Sequence, residues 1–236
     1  MRRKYTLDED VFNKIDNEEK AYWLGFLYAD GYITRHKQGQ FVLGLKQKEF
    51  EILQLFCKFL KTNKPIYEFT SNNGYNKGKK YFQVLISSNK IVNDLRILGI
   101  FEKKSLELKF PNINQVPKEF INHFIRGYFD GDGSVFHFKS KRKNKTYIYL
   151  GVSICGTKEF LDELKENLPF ITKKESIIFK DKRKTTNCYK IKLETNKRAN
   201  AFYNFVYNNC TIFLERKRKT FNDYNGTILL EDDGIV

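Results

Sequence analysis

The residues best placed to do chemistry are two aspartates, each closing an apolar run. Trp23–Gly31 reads WLGFLYADG and Ile125–Gly133 reads IRGYFDGDG, so Asp30 and Asp132 occupy the same place in two copies of one pattern. Each copy carries a small residue at its third position and another four further on: Gly25 and Ala29, then Gly127 and Gly131. Read as helices, the two stretches each have one face without bulk, and such faces let backbones approach closely. Packed side by side, they would form a seam of Gly25, Ala29, Gly127 and Gly131 with both aspartates at its end. A carboxylate at a helix C-terminus meets the negative end of the helix dipole, at a cost of ~0.3–1 kcal/mol. Two carboxylates ~4 Å apart also repel by about 4 kcal/mol at an effective dielectric near 20. Stability gives no reason for that arrangement. A divalent cation reverses its sign, because hard cations take oxygen ligands, and the carbonyls of Ala29 and Gly131 are further oxygen donors. One Asp-Gly helix end is ordinarily a simple stop and turn; two matched copies point to a site.

The elements that must hold these residues also repeat. Asp16 and Glu19 have the spacing of a capping box, and a helix is expected from there to Asp30, with Gly31 taking a left-handed closing conformation. Tyr32–His36 and Gln40–Lys46 alternate with period two and read as a hairpin. Glu49–Lys61 has helical spacing at Ile52, Leu53, Phe56 and Leu60. Ile66–Thr70 and Tyr81–Ser87 form a second hairpin, and Asn89–Leu98 is helical up to Gly99. After the Pro-containing stretch Leu106–Lys118 the order recurs. A helix runs from Pro117 to Asp132, followed by a hairpin of Ser134–Lys139 and Tyr147–Ile154 and a helix over Lys158–Leu168. A hairpin of Ser176–Lys180 and Cys188–Glu194 then leads to Lys197–Tyr207 as the last long helix. The expected organisation is a lead-in at 1–15, a half-domain at 16–105, a linker at 106–116, a second half-domain at 117–224 and a tail at 225–236, whose acidic end has no evident role. A period this long occurring twice suggests paired half-domains rather than a solenoid.

Composition narrows the partner. Of 236 residues, 43 are Lys or Arg and 28 Asp or Glu, a net charge of +15, and the pI is about 9.5. That balance favours a polyanion, whose counterions are released on binding. Aromatics at 16% supply ample core. Cys57, Cys155, Cys188 and Cys210 are far apart and His36, His123 and His137 are unclustered, which argues against disulfide scaffolds and zinc sites. The amino terminus MRRKYTLDED lacks an apolar signal region, and no window approaches the ~18 apolar residues of a membrane span. A soluble intracellular protein is expected, with the compartment (bacterial or phage-infected cytoplasm, organelle or nucleus) left open.

With their extensions GYI and GSV, WLGFLYADG and IRGYFDGDG resemble the two motifs of single-chain LAGLIDADG homing endonucleases, and the resemblance covers roughly residues 20–222. It implies an α+β fold: a pseudo-twofold pair of αββαββα half-domains, two antiparallel saddle-shaped sheets and a central pair of motif helices. It implies a monomeric nuclease, a hydrolase that cuts both strands of a long double-stranded DNA site with Mg²⁺, Mn²⁺ able to substitute, and leaves short 3′ overhangs. Such enzymes serve intron or intein mobility. The family's metal-binding position falls on Asp30 and Asp132, while Asp130 does not match it and reads as structural. The resemblance further implies polar and basic residues near the metals: Lys104 in GIFEKKS, Lys217 in IFLERK, and Gln47 as a water-positioning amide whose counterpart in the second half falls near Gly156.

Strand alternation selects the faces open to a nucleic acid. In the first half these are Tyr32, Thr34, His36, Gln40, Lys46 and Gln83; in the second, Ser134, Phe136, Phe138, Tyr147, Tyr149, Ser153, Lys190 and Lys192. A two-stranded ribbon fits a major groove. Lys141, Arg142 and Arg183, in expected loops, suit phosphates. The rival reading is an intron maturase, with intron RNA as partner, or a non-cleaving DNA- or RNA-binding protein of the same fold; loss of the carboxylates would mark it, and both are present. A nuclease of the PD…ExK type finds only Glu107-x-Lys109 and Glu163-x-Lys165, chance triplets with no matched Pro-Asp ahead.

Overall fold

A computed structural model describes residues 4–36, 39–72, 77–102, 107–142, 145–181, 187–224 and 228–229. The chain runs α1 (Glu18–Asp30), β1 (Gly31–Arg35), β2 (Phe41–Gln47), α2 (Phe50–Phe59), β3 (Tyr67–Thr70), β4 (Lys80–Ser87) and α3 (Asn89–Ile97). A single 3-10 turn (Lys118–Phe120) then leads into α4 (Ile121–Asp132), β5 (Gly133–Arg142), β6 (Lys145–Gly156), α5 (Lys158–Glu166), β7 (Ile178–Lys180), β8 (Tyr189–Leu193) and α6 (Asn196–Tyr207). The order αββαββα therefore occurs twice, followed by α7 (Glu215–Asn222) and β9 (Ile228–Leu229). Both sheets are antiparallel and repeat one topology, β1-β2-β4-β3 and β5-β6-β8-β7, with β9 added on β6. The fold is α+β, as the sequence and its family resemblance indicated.

One hydrophobic core runs through both halves. Trp23, Phe26, Leu43, Leu45 and Phe56 from the first half and Phe129, Leu150, Val152, Ile154 and Phe202 from the second belong to a single buried cluster. The stretch read as a linker contributes to it through Leu108, Phe110 and Val116, all buried. Thr157 Oγ1 also donates to the Leu108 carbonyl at 2.7 Å. The lead-in adds Val11, Phe12 and Ile15.

Several local expectations are corrected. The cap of α1 is Asn17, whose side chain accepts from Lys20 N at 3.0 Å, while Asp16 instead pairs with the Lys20 ammonium at 3.1 Å. Gly31 is extended rather than left-handed, with φ −69° and ψ 148°. The helix passes directly into a strand, and a glycine is needed because a Cβ would lie 2.7 Å from the Leu27 carbonyl oxygen. The β5–β6 hairpin is longer than its apolar alternation suggests, so Lys141 and Arg142 stand on a strand, not in a loop. Helix α6 is followed by another, α7, which the sequence reading left out. Gly99, which ends the α3 segment, does adopt a left-handed φ of +97°.

Candidate active site

The seam forms because glycine stands where each helix meets the other's backbone. A Cβ on Gly25 would lie 2.0 Å from the Phe124 carbonyl oxygen, and one on Gly127 would lie 1.9 Å from that of Tyr22. One turn further, a Cβ on Gly131 would lie 2.3 Å from Ala29 Cβ and 3.3 Å from Asp30 Oδ2. The C-terminal ends of α1 and α4 thus abut, and Asp30 turns its carboxylate toward the neighbouring helix end. Asp30 is half-buried and Asp132 exposed. Both carboxylates act electrostatically on the same two buried groups, Tyr128 and Lys217, so both project into one region.

Polar groups converge there unequally. Gln47, buried at the end of β2, donates its Nε2 to Asp30 Oδ2 at 2.7 Å. The registers pair Gly31 with Leu45 and Gly133 with Ile154, so two residues on, the counterpart of Gln47 is Gly156, which has no side chain to offer. On the other side Lys217 is 3% exposed. It donates to the carbonyls of Phe129, Asp130 at 2.7 Å and Gly131 at 3.4 Å, closing the C-terminus of α4 with a cation, the favourable sign for that end of the dipole. Burial pushes its pKa down to about 8, the Asp130 carboxylate opposing and Arg216 reinforcing the shift. Lys104 lies outside the described residues.

Asp130 is a different kind of carboxylate. It is buried and accepts from Tyr22 Oη at 3.0 Å, Tyr207 Oη at 2.6 Å and Leu214 N at 2.7 Å. Burial raises its pKa, against the lowering effect of Lys217 and these hydrogen bonds. Leu214 is the residue capping α7. The carboxylate therefore holds the start of the helix whose Lys217 reaches back to α4, a reciprocal clamp. Sequence reasoning missed the tyrosines and Leu214, which lie far away in the chain. It also missed Tyr128, whose hydroxyl donates to the Cys155 carbonyl at 2.8 Å and whose pKa is raised by burial first and Asp132 next.

The donors fit a hard divalent cation. Two carboxylates and the helix-end carbonyls of Ala29 and Gly131 are all oxygen, and the absent side chain of Gly131 leaves space against Asp30. Among the described residues no group of three or more His, Cys, Asp or Glu could hold a metal. A cation here would keep water or phosphate oxygens in its remaining positions, as Mg²⁺ commonly does.

On the first sheet's open face the Tyr32 ring lies over Gly44, where a Cβ would fall 2.1 Å from it, and its hydroxyl accepts from Gln83. The Lys46 ammonium sits 4.5 Å from the Phe69 ring centroid and 4.1 Å from that of Tyr81. Thr34 is exposed on β1, while His36 and Gln40 lie in the turn after it, joined by the His36 N–H to the Gln40 carbonyl at 2.8 Å. On the second sheet Ser134 is exposed, Ser153 is half-buried, and Phe136, Phe138, Tyr147 and Tyr149 share one face. Lys190 and Lys192 are not free cations: Asp181 pairs with the first at 3.0 Å and Glu194 with the second at 3.2 Å. Lys141 is exposed. The Arg142 side chain and Arg183 lie outside the described residues. No described helix is long and apolar enough to cross a membrane.

Comparisons with known proteins agree with this fold. Residues 119–206 match the model of the LAGLIDADG-like domain. The structure is similar to the homing endonuclease I-WcaI bound to its DNA recognition sequence, with a TM-score of 0.60 and 16% identity over 88% of this chain and 87% of that one. It is also similar to the LAGLIDADG meganuclease I-AabMI bound to uncleaved DNA, with a TM-score of 0.56 and 12% identity over 88% of each chain. A probable translation initiation factor IF-2 of Methanocaldococcus jannaschii is 27% identical over 224 residues, 93% of this chain but 16% of that protein. Residues 119–206 thus match a LAGLIDADG-like domain, and over 88% of its length the chain shares the fold of these LAGLIDADG proteins.

Proposed function

We propose that the protein is a site-specific endonuclease that hydrolyses both strands of a long double-stranded DNA site, leaving short 3′ overhangs. The observation that carries this reading is the seam itself: two glycine-faced helices end together and direct Asp30 and Asp132 into one region. A charge of +15 suits a phosphate backbone, and the two open sheet faces suit its grooves. In this reading Asp30 and Asp132, with the Ala29 and Gly131 carbonyls, hold Mg²⁺, or Mn²⁺ in its place. When bound, the metal supplies Lewis acidity, lowering the pKa of a water and neutralising charge on the leaving oxygen. Gln47 orients water beside Asp30, and Lys217 and Lys104 supply positive charge near the scissile phosphates. The chain acts as a monomer, its two halves serving as an internal dimer. The stretch shared with the initiation-factor relative contains both Asp-Gly helix ends, so that likeness concerns this unit, one-sixth of the factor, and not the factor's named role.

The test is Asp30→Asn and Asp132→Asn, assayed on sites enriched from a randomised duplex library. Each variant should lose double-strand cleavage in Mg²⁺ while retaining specific binding in Ca²⁺. Double-strand cleavage at the wild-type rate by either variant would remove the metal assignment.

A further inference from the structure

The two sheets share a topology but not a surface chemistry. The first open face is built to present hydrogen-bond donors. The Lys46 ammonium is held between Phe69 and Tyr81, rings that stack at 6.0 Å and 23°, and Lys48 stands 6.0 Å from the Tyr81 ring. Gln83 donates to Tyr32, which fixes the direction of its amide. No described carboxylate pairs with Lys46 or Lys48.

The second open face is a row of rings. Phe136 lies over Gly151, where a Cβ would fall 2.6 Å from its edge. Phe136 and Phe138 are 6.1 Å apart, Phe138 stacks on Tyr149 at 5.5 Å and 23°, and Tyr147 is 6.3 Å from Tyr149. All four are half-buried by one another, so their exposed portions form one apolar strip along the long β5–β6 hairpin. The lysines that border it on β8 are matched by Asp181 and Glu194. Those pairs cancel charge on the flank of the strip.

In the major groove the one apolar group a base pair presents is the thymine C5 methyl. A ring strip there buries methyls favourably, whereas over G·C pairs it would cover the guanine acceptors and the cytosine amine without offering partners, a desolvation cost. An ammonium instead matches the paired acceptors of guanine, and an oriented amide the acceptor and donor that adenine presents side by side.

Resting on the endonuclease reading, we infer that the two halves take chemically different half-sites. The second half binds an A·T-rich half-site through thymine methyl contacts with Phe136, Phe138, Tyr147 and Tyr149. The first half binds a half-site containing G·C pairs read by Lys46, with Gln83 beside it suited to an adenine.

The experiment begins with wild-type selection of cleaved duplexes from a randomised library in Mg²⁺. Selections with Phe138→Ser and with the milder Phe138→Leu then assign the second half-site as the one whose preferences move; Gln83→Ala assigns the first. Thymines in each half-site are next replaced by deoxyuridine, which removes the methyl and nothing else, and binding is measured in Ca²⁺. Each methyl buried on the strip should be worth about fourfold in affinity, with less than a twofold effect per substitution in the first half-site. A second half-site rich in G·C, or equal deoxyuridine effects in both halves, would overturn the inference while leaving the nuclease intact. Failure to enrich any site would remove the endonuclease reading and this inference with it.

Discussion

Asp30, Asp130 and Asp132 are the same side chain in three settings, and their surroundings separate them. Asp130 is enclosed by two tyrosine hydroxyls and a backbone N–H, which take up three of the roughly four lone-pair sites of its carboxylate. Its role was legible only as an exclusion, because its partners come from α1, α6 and the start of α7. Lys217 is the opposite case: its position was readable from the resemblance, its burial was not, since one lysine among 43 basic residues carries no mark of its exposure. That burial has a measurable consequence. Below about 8 both folded and unfolded chains hold the proton; between about 8 and the ordinary 10.5 the unfolded chain holds it and the folded chain does not. Stability from this group therefore rises with pH across that window and falls again as pH drops through about 8, by no more than about 3 kcal/mol. Urea unfolding of the metal-free protein at pH 7.5 and at pH 9.5 should show the wild type gaining stability relative to Lys217→Met. Parallel pH curves for the two proteins would contradict the assigned shift.

At the scale of elements, α1 and α4 were legible because their pattern repeats and because small residues four apart have a packing meaning that needs no tertiary information. Helix α7 was not. In ERKRKTFN only Lys217 and Phe221 are buried, so its inward face is half ammonium and shows no apolar stripe. The β5–β6 hairpin was shortened for a related reason: beyond Lys139 it carries charged residues whose alternation no core enforces. The seam makes the firmest stability prediction. A methyl on Gly127 meets backbone atoms of Tyr22 and Phe26 at 1.9 and 2.9 Å, and no rotamer relieves a clash with backbone. Gly127→Ala should cost about 3 kcal/mol or more. Gly78→Ala is the comparison: its φ is +80° and nothing lies within 4 Å of the added Cβ, so only backbone strain of about 1 kcal/mol is expected. Chemical denaturation of both variants decides it; equal losses would mean that the seam yields and does not define the fold.

The whole molecule is a pseudo-dimer whose two ends of chemistry are not copies. Gln47 touches Asp30, and its counterpart in the second half is Gly156; Lys217 closes α4, while Tyr28, at the position equivalent to Asp130, donates instead to the Leu98 carbonyl. The duplication made the pairing legible in the sequence, whereas the inequality depends on strand register and on which carbonyls a buried ammonium reaches. If each half organises the attack on one strand, removing the Gln47 amide should slow one strand selectively, because the other half never had it. With supercoiled plasmid carrying the selected site, Gln47→Ala should therefore accumulate nicked circles before linear product appears, and the ratio of the two strand rates should shift by about tenfold or more, the range expected when a group that orients a reactant is lost. Linear product forming at a reduced rate without nicked circles would mean that both strands draw on Gln47 alike, and the half-site division of labour would fall with it.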